Sequence, residues 1–255
     1  MWIDTHCHLA HGRLLLEVAA VLVRARAAGV GAFVCAAGDL DESRAALGLA
    51  HRHGDVYATA GVHPHDAASA PPDLDRRLRE LAGDAKNIAV GEIGLDYHYD
   101  FSPRPAQQQA FAAQLDLAVR LGKPVVVHTR EAWADTMAIL RDSRVDGTRV
   151  IFHSFTEPPE HTADALDFGA TISFSGIVTF AKSTALHETA RLVPTGRLLI
   201  ETDAPYLSPE PVRKQKTNEP AHVAHVGQFL AALRNVPAEE FARQTTETAR
   251  RVFGV

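Results

Sequence analysis

Ile3-Asp4-Thr5-His6-Cys7-His8 stands a few residues into the chain, where good strand formers run into two histidines spaced by one residue. On a strand successive side chains point to opposite faces, so His6 and His8 project together and Cys7 points away from them. Neutral imidazole is the commonest metal ligand, and two of them at one strand end make half of a divalent-metal site. An isolated His-x-His is ambiguous. The rest of the chain resolves it by repeating the arrangement, an apolar strand that ends in another metal-type residue.

Seven further short apolar runs read as strands, at 32–37, 56–62, 88–92, 124–128, 150–153, 170–174 and 198–203. Between them, 14–28, 40–51, 74–81, 107–121, 133–140, 159–168 and 184–193 carry helical spacing of apolar residues. Gly29, Gly122 and Gly169 stop three of these helices, and Asp39 or Asp41 caps the second. Eight strands alternating with helices predict a parallel (β/α)8 TIM barrel, because parallel strands need crossovers and helices then cover the sheet. An open doubly wound sheet is the competing architecture, but no glycine-rich phosphate turn follows the first strand. Residues 1–255 are expected to form one barrel domain. The tail 219–253, broken near Pro237, is read as extra C-terminal helices packing outside or beneath it.

Composition narrows the partners. Among 255 residues the net charge is -5, with both signs spread along the length and no basic tail. That argues against wide contact with duplex DNA while leaving room for a narrow phosphate-binding cleft. The two cysteines, Cys7 and Cys35, fall in separate strands and are expected to be reduced, in a cytoplasmic protein. No window suits a bilayer, so no membrane association is expected, and no obligate protein partner is evident.

In a barrel of this kind the chemistry sits at the carboxyl ends of the strands. Those ends carry His6, His8, His63, Glu92, His128, His153 and Asp203. They are nitrogen and oxygen donors suited to Zn²⁺, Mn²⁺ or a similar ion. One Zn²⁺ needs only three protein ligands. This many donors, with a carboxylate able to bridge, fits two ions about 3.5–4 Å apart and a metal-activated water. On the substrate side, Arg130 follows His128 and is positioned to grip a phosphate or to form a rim salt bridge with Glu131 or Asp135. Arg213, Lys214 and Lys216 form a basic loop. Tyr97, Tyr99, Phe101 and Phe155 lie in βα loops, available for base stacking or for pinning those loops. Glu201 is expected to point into the barrel, near the donors.

Several stretches together resemble the signatures of TatD-family metal-dependent hydrolases. They are Asp4-Thr5-His6-Cys7-His8-Leu9, Gly61-Val62-His63-Pro64-His65 and Gly91-Glu92-Ile93-Gly94-Leu95-Asp96-Tyr97. Pro124-Val125-Val126-Val127-His128-Thr129-Arg130, Phe174-Ser175-Gly176-Ile177-Val178-Thr179-Phe180, Glu201-Thr202-Asp203-Ala204-Pro205-Tyr206-Leu207 and Asn218-Glu219-Pro220-Ala221 follow in order. The resemblance implies an amidohydrolase-like barrel and a deoxyribonuclease with 3′-to-5′ exonuclease action on a single-stranded DNA end. It implies two divalent ions (Zn, Mn, Mg or similar) held by His6, His8, Glu92, His128, His153 and Asp203, with Glu92 bridging. Asp203 would serve as general base and His63 would contact substrate. Ala10, Glu157 and the glycine-free run from Arg213 to Pro220 depart from the family pattern. The same donors would also suit a hydrolase of a small ester or amide, or of an aminoacyl-tRNA ester. A non-catalytic barrel that binds metal or nucleic acid is the third reading.

Overall fold

The structure, a computed structural model, describes residues 1–255. Eight strands lie in sequence order: β1 (Trp2–Cys7), β2 (Val30–Cys35), β3 (Val56–Ala60), β4 (Asn87–Asp96), β5 (Val125–Arg130), β6 (Val150–Phe152), β7 (Thr171–Phe174) and β8 (Leu198–Ile200). Each pairs in parallel with the next. The ring closes where the last strand meets the first. There Asp203 N–H donates to the His6 carbonyl at 2.9 Å and His8 N–H to the Ala204 carbonyl at 2.7 Å. The predicted TIM barrel is therefore the observed fold.

Helices α1 (Gly12–Leu15), α2 (Val18–Ala27), α3 (Leu40–Arg52), α4 (Leu74–Ala82) and α5 (Arg104–Leu121) follow the first four strands. Next come α6 (Trp133–Asp142), α7 (Pro159–Phe168), α8 (Thr184–Leu192), α9 (Val223–Leu233) and α10 (Ala238–Phe253). Asp39 caps α3 by accepting both the Asp41 and Glu42 N–H groups at 2.8 Å, which answers two of the orphan donors of its first turn. Gly122 and Gly169 end α5 and α7 in the left-handed conformation, as their positions predicted.

Three boundaries differ from expectation in ways that shape the core and the barrel mouth. The helix expected over 14–28 is two helices, because Glu17 N–H bonds the Leu14 carbonyl three residues back. That turn lets Leu14 and the buried face Val21, Leu22 and Ala25 both reach the core while Leu16 stays in water. Strand β4 runs past Glu92 to Asp96. Gly94, at φ +139°, is what permits this, since a Cβ there would collide with the His128 carbonyl on β5. Strand β8 stops at Ile200, and Glu201 to Asp203 form the start of a loop.

The core has two compartments. Between the strands and the helices lies the larger, holding Phe33, Phe111, Phe152, Phe174 and Phe241. Inside the barrel, Ile3, Val34, Ala89, Val126, Ile151 and Leu199 form an apolar floor, closed from below by Ala249 and Phe253 of α10. So α10 takes the bottom of the barrel. Helix α9 packs on its side, with Gly227 so close to the Trp2 ring that a Cβ would overlap it. Above the floor the interior turns polar, where Thr5 Oγ1 donates to the Ile200 carbonyl at 2.9 Å. No helix is long and apolar enough to cross a membrane.

Candidate active site

His6 and His8 leave the end of β1 on the same side, with their Nε2 atoms 3.2 Å apart, while Cys7 turns into the helix-facing core. Asp203 sits just beyond β8 at φ +55°, a left-handed conformation that Asp tolerates better than most residues. Its Oδ1 lies 3.4 Å from His8 Nε2 and 3.8 Å from His6 Nε2. Across the mouth, His128 from β5 and His153 from the end of β6 bring Nδ1 and Nε2 to 3.2 Å from each other.

Glu92 lies between the two pairs and is 3 % exposed. Its Oε2 is 3.3 Å from His6 Nε2 and 3.7 Å from His8 Nε2. Its Oε1 is 2.8 Å from His153 Nε2, 3.0 Å from His128 Nδ1 and 3.3 Å from His63 Nε2. All six sequence-predicted donors therefore converge, and His63 joins them rather than standing apart on the rim. Within this set His6, His8 and Asp203 form one compact group, and His63, Glu92 and His128 another.

The donor chemistry fits divalent cations. Imidazole nitrogens face one another at 3.2 Å in two places, and carboxylate oxygens face the same nitrogens, in a site where His6, Glu92 and His153 are buried. Hydrogen bonds answer such a cluster only in part: one of its imidazole nitrogens, His6 Nδ1, is buried with no partner. Nitrogen and carboxylate donors around a shared carboxylate are what a pair of borderline metal ions takes.

Burial alone would raise the Glu92 carboxyl, but His153, His63 and His128 around it hold it well below the usual carboxylate range. Burial likewise opposes ionisation of Asp203, and its bond with His8 and the charges of His153 and His6 hold it ionised. Burial pushes His63 down to about 4, against the pull of Glu92. Behind the ring of donors stand three carboxylates. Asp96 Oδ2 reaches His128 Nε2 at 3.2 Å and His65 Nε2 at 3.0 Å. Glu201 Oε1 lies 3.3 Å from His153 Nδ1 and accepts the Ser154 N–H at 2.7 Å, while its Oε2 accepts from Ser173 Oγ at 2.5 Å. Glu201 thus does point inward, as expected from its spacing. Asp4 accepts from Thr202 N–H at 2.9 Å and Thr202 Oγ1 at 2.6 Å, and burial pushes it up to about 8 despite those bonds. It fixes the loop that presents Asp203.

Asp96 and His65 lie beyond the apolar runs that mark β4 and β3 in the sequence. The signal for Asp96 was its spacing of four from Glu92, which puts both on one face of β4 once that strand is allowed its full length. Arg130 forms no rim salt bridge. Its two expected partners are engaged elsewhere, Glu131 with His98 at 2.7 Å and Asp135 with the Tyr97 hydroxyl at 2.7 Å. The Arg130 guanidinium lies instead over the Tyr99 ring, 4.8 Å from its centre. Tyr97 and the buried Phe155 pin their loops, whereas Tyr99 and Phe101 stay exposed.

The profile described as TatD related DNase matches residues 3–254. The chain belongs to that family. A relative from Escherichia coli (strain K12), named "uncharacterized metal-dependent hydrolase YcfH", is 41% identical over 256 residues, covering 99% of this chain and 96% of that protein. A relative from Enterobacter lignolyticus (strain SCF1), named "3′-5′ ssDNA/RNA exonuclease TatD", is 38% identical over 240 residues, 92% of each. Among solved structures, the TatD homologue YJJV of Escherichia coli K12 superposes with a TM-score of 0.94 at 29% identity, covering 100% of this chain and 98% of that one. Glu157, which the sequence reading sets apart from the family pattern, has a visible structural task. It accepts from His161 Nδ1 at 2.6 Å, and the His161 ring stacks on Trp133 with centres 4.8 Å apart, tying α7 to α6.

Proposed function

We propose that this TatD-family protein is a metal-dependent hydrolase that cuts phosphodiesters from the end of a single strand of DNA, working from 3′ toward 5′. The observation that carries the proposal is the Glu92 carboxylate, whose two oxygens face two separate sets of imidazoles at 2.8–3.7 Å. On this reading His6, His8 and Asp203 would hold one divalent cation and His128 and His153 a second, with Glu92 placed between the two sets. Zn²⁺, Mn²⁺ and Mg²⁺ are the ions that such donors admit. When bound, the pair polarises a water and offsets the charge that gathers on the phosphate.

The chain's own residues supply the rest. Asp203 takes the proton of the attacking water. Its position is held from two sides, by its own N–H on the His6 carbonyl and by Asp4 on Thr202. Asp96 and Glu201 keep the His128 and His153 rings in the orientation that presents their nitrogens inward. His63 and Arg130 bind the phosphate. Arg130, with no carboxylate partner, has its guanidinium available for two oxygens at once. Arg13, Lys214 and Lys216 on the same face are also without carboxylate partners, which favours an anionic polymer over a neutral amide. The relative named as a 3′-5′ ssDNA/RNA exonuclease, matched over 92% of each chain, supports the same substrate class. Residues 1–255 act as one barrel domain, since the donors span from β1 to the end of β8. Two free, buried cysteines suit the reducing cytoplasm, where we place the protein.

The test is incubation of metal-loaded protein with a 3′-labelled single-stranded oligonucleotide, with and without chelator. Chelator-sensitive release of the labelled terminal nucleotide is expected. An intact oligonucleotide, together with chelator-sensitive cleavage of a small ester or amide, would overturn the proposal.

A further inference from the structure

Few large apolar side chains on this protein remain in water, and three of them stand on one cleft of about 850 Å³, the cleft that holds the metal donors. They are Tyr99, 47 % exposed, Phe101, 68 %, and Tyr206, 42 %. Exposed aromatic surface concentrated at a mouth is an unmet binding surface. The Tyr99 and Tyr206 hydroxyls make no hydrogen bond within the protein, unlike Tyr97, whose hydroxyl is tied to Asp135.

The three form two platforms. Tyr99 and Phe101 stack with centres 5.2 Å apart and planes at 24°, and the His65 ring stands edge-on to Phe101 at 4.7 Å. Tyr206 meets the edges of His11 at 5.7 Å and His8 at 6.1 Å. Each platform carries an arginine without a carboxylate partner, Arg130 at 4.8 Å over Tyr99 and Arg13 at 5.7 Å over Tyr206. Tyr99 and Phe101 follow β4 and Tyr206 follows β8. Four places apart in a ring of eight, those strands face each other across the barrel, with Glu92 and the imidazoles between.

We propose that the platforms are two base-stacking subsites flanking the scissile phosphate, so that the substrate must offer two consecutive unpaired bases, one to each side. The inference rests on the single-strand phosphodiesterase reading and deepens it. Aromatic faces stack on any base, which gives sequence tolerance, and the arginines hold the scissile phosphate and the next phosphate on its 5′ side. Two bases drawn to opposite walls cannot remain in a duplex, so the selection for single strands arises from the walls of the cleft.

The experiment compares kcat and KM of the wild type, Phe101→Ala and Tyr206→Ala on three oligonucleotides. One is intact, one is abasic at the 3′-terminal position, and one is abasic at the penultimate position. Thermal melting checks that each variant is folded. The wild type should lose about tenfold in kcat/KM, mostly through KM, for each base removed. Phe101→Ala should lose about as much on the intact strand and little more on one of the abasic strands, with Tyr206→Ala showing the same pattern on the other. Activity that ignores both missing bases, or variants impaired equally on all three strands, would overturn the inference while leaving the nuclease reading in place. A wild type inert on all three would remove both.

Discussion

The residues that matter most are those with two jobs. Asp203 is both a donor facing His8 at 3.4 Å and the group assigned to take a proton. Asp203→Asn keeps the shape and loses the basicity, so turnover should fall by about 10²–10⁴ or more with the melting temperature nearly unchanged. Steady-state rates at saturating metal check this. Glu201 acts one layer back, on His153 and the Ser154 N–H. Glu201→Gln should weaken metal binding about 10–100-fold, read by calorimetric titration, and wild-type affinity would show that it does not orient the ring. At this scale the sequence was informative for a physical reason. His6, His8, Glu92, His128, His153 and Asp203 each end an apolar run, where a polar donor has few uses in the core. Asp96 and His65 lacked that signature because they lie past the apparent ends of their strands.

Elements hold these residues through backbone contacts that pattern reading does not reach. The Asn218 side chain, fully buried, donates to the Thr202 carbonyl at 3.0 Å and the Tyr206 carbonyl at 2.6 Å, and accepts from Glu219 N–H and His222. One amide thus fixes the loop that carries Asp203. Asn218→Ala strands buried carbonyls and should cost about 1–3 kcal/mol. For a chain of this size that is a fall in Tm of about 2–4 °C per kcal/mol, accompanied by lower kcat. Strand β4 shows what its glycines allow. Gly94→Ala would drive a Cβ into the His128 carbonyl, so it should yield little folded protein in an expression and solubility assay. Helix and strand positions were legible from periodicity, including α7 over Pro159–Phe168. The break at Leu16 and Glu17 was not, because it serves the aim of Leu14 into the core, a tertiary requirement.

Across the whole molecule, the donors come from β1, β4, β5, β6 and the segment after β8, so cations bound among them would tie most of the ring together. Ligand that binds only the folded state adds about 2.7 kcal/mol at a hundred times its dissociation constant. Metal loading should therefore raise Tm by several degrees and chelation should return it, as scanning calorimetry would show. An unmoved Tm would count against metal held by those strands. At the opposite pole, Phe253 closes the floor from α10 at 6 % exposure. Phe253→Ala should cost about 3–5 kcal/mol, measurable by urea unfolding, with the distant chemistry altered far less than the stability. The alternation of eight strands with helices made the barrel legible. The floor was not, because which end of a barrel a terminal helix covers depends on where the chain emerges after β8.

The donor set is split between His6 and His8 at β1 and Asp203 beyond β8, at the two ends of the barrel's strand order. A polypeptide whose translation halts before β8 holds His6 and His8 but lacks Asp203, and β1 then has no neighbour on one side. Synthesis interrupted there therefore releases no cutting fragment, and the chemistry waits for the ring to close.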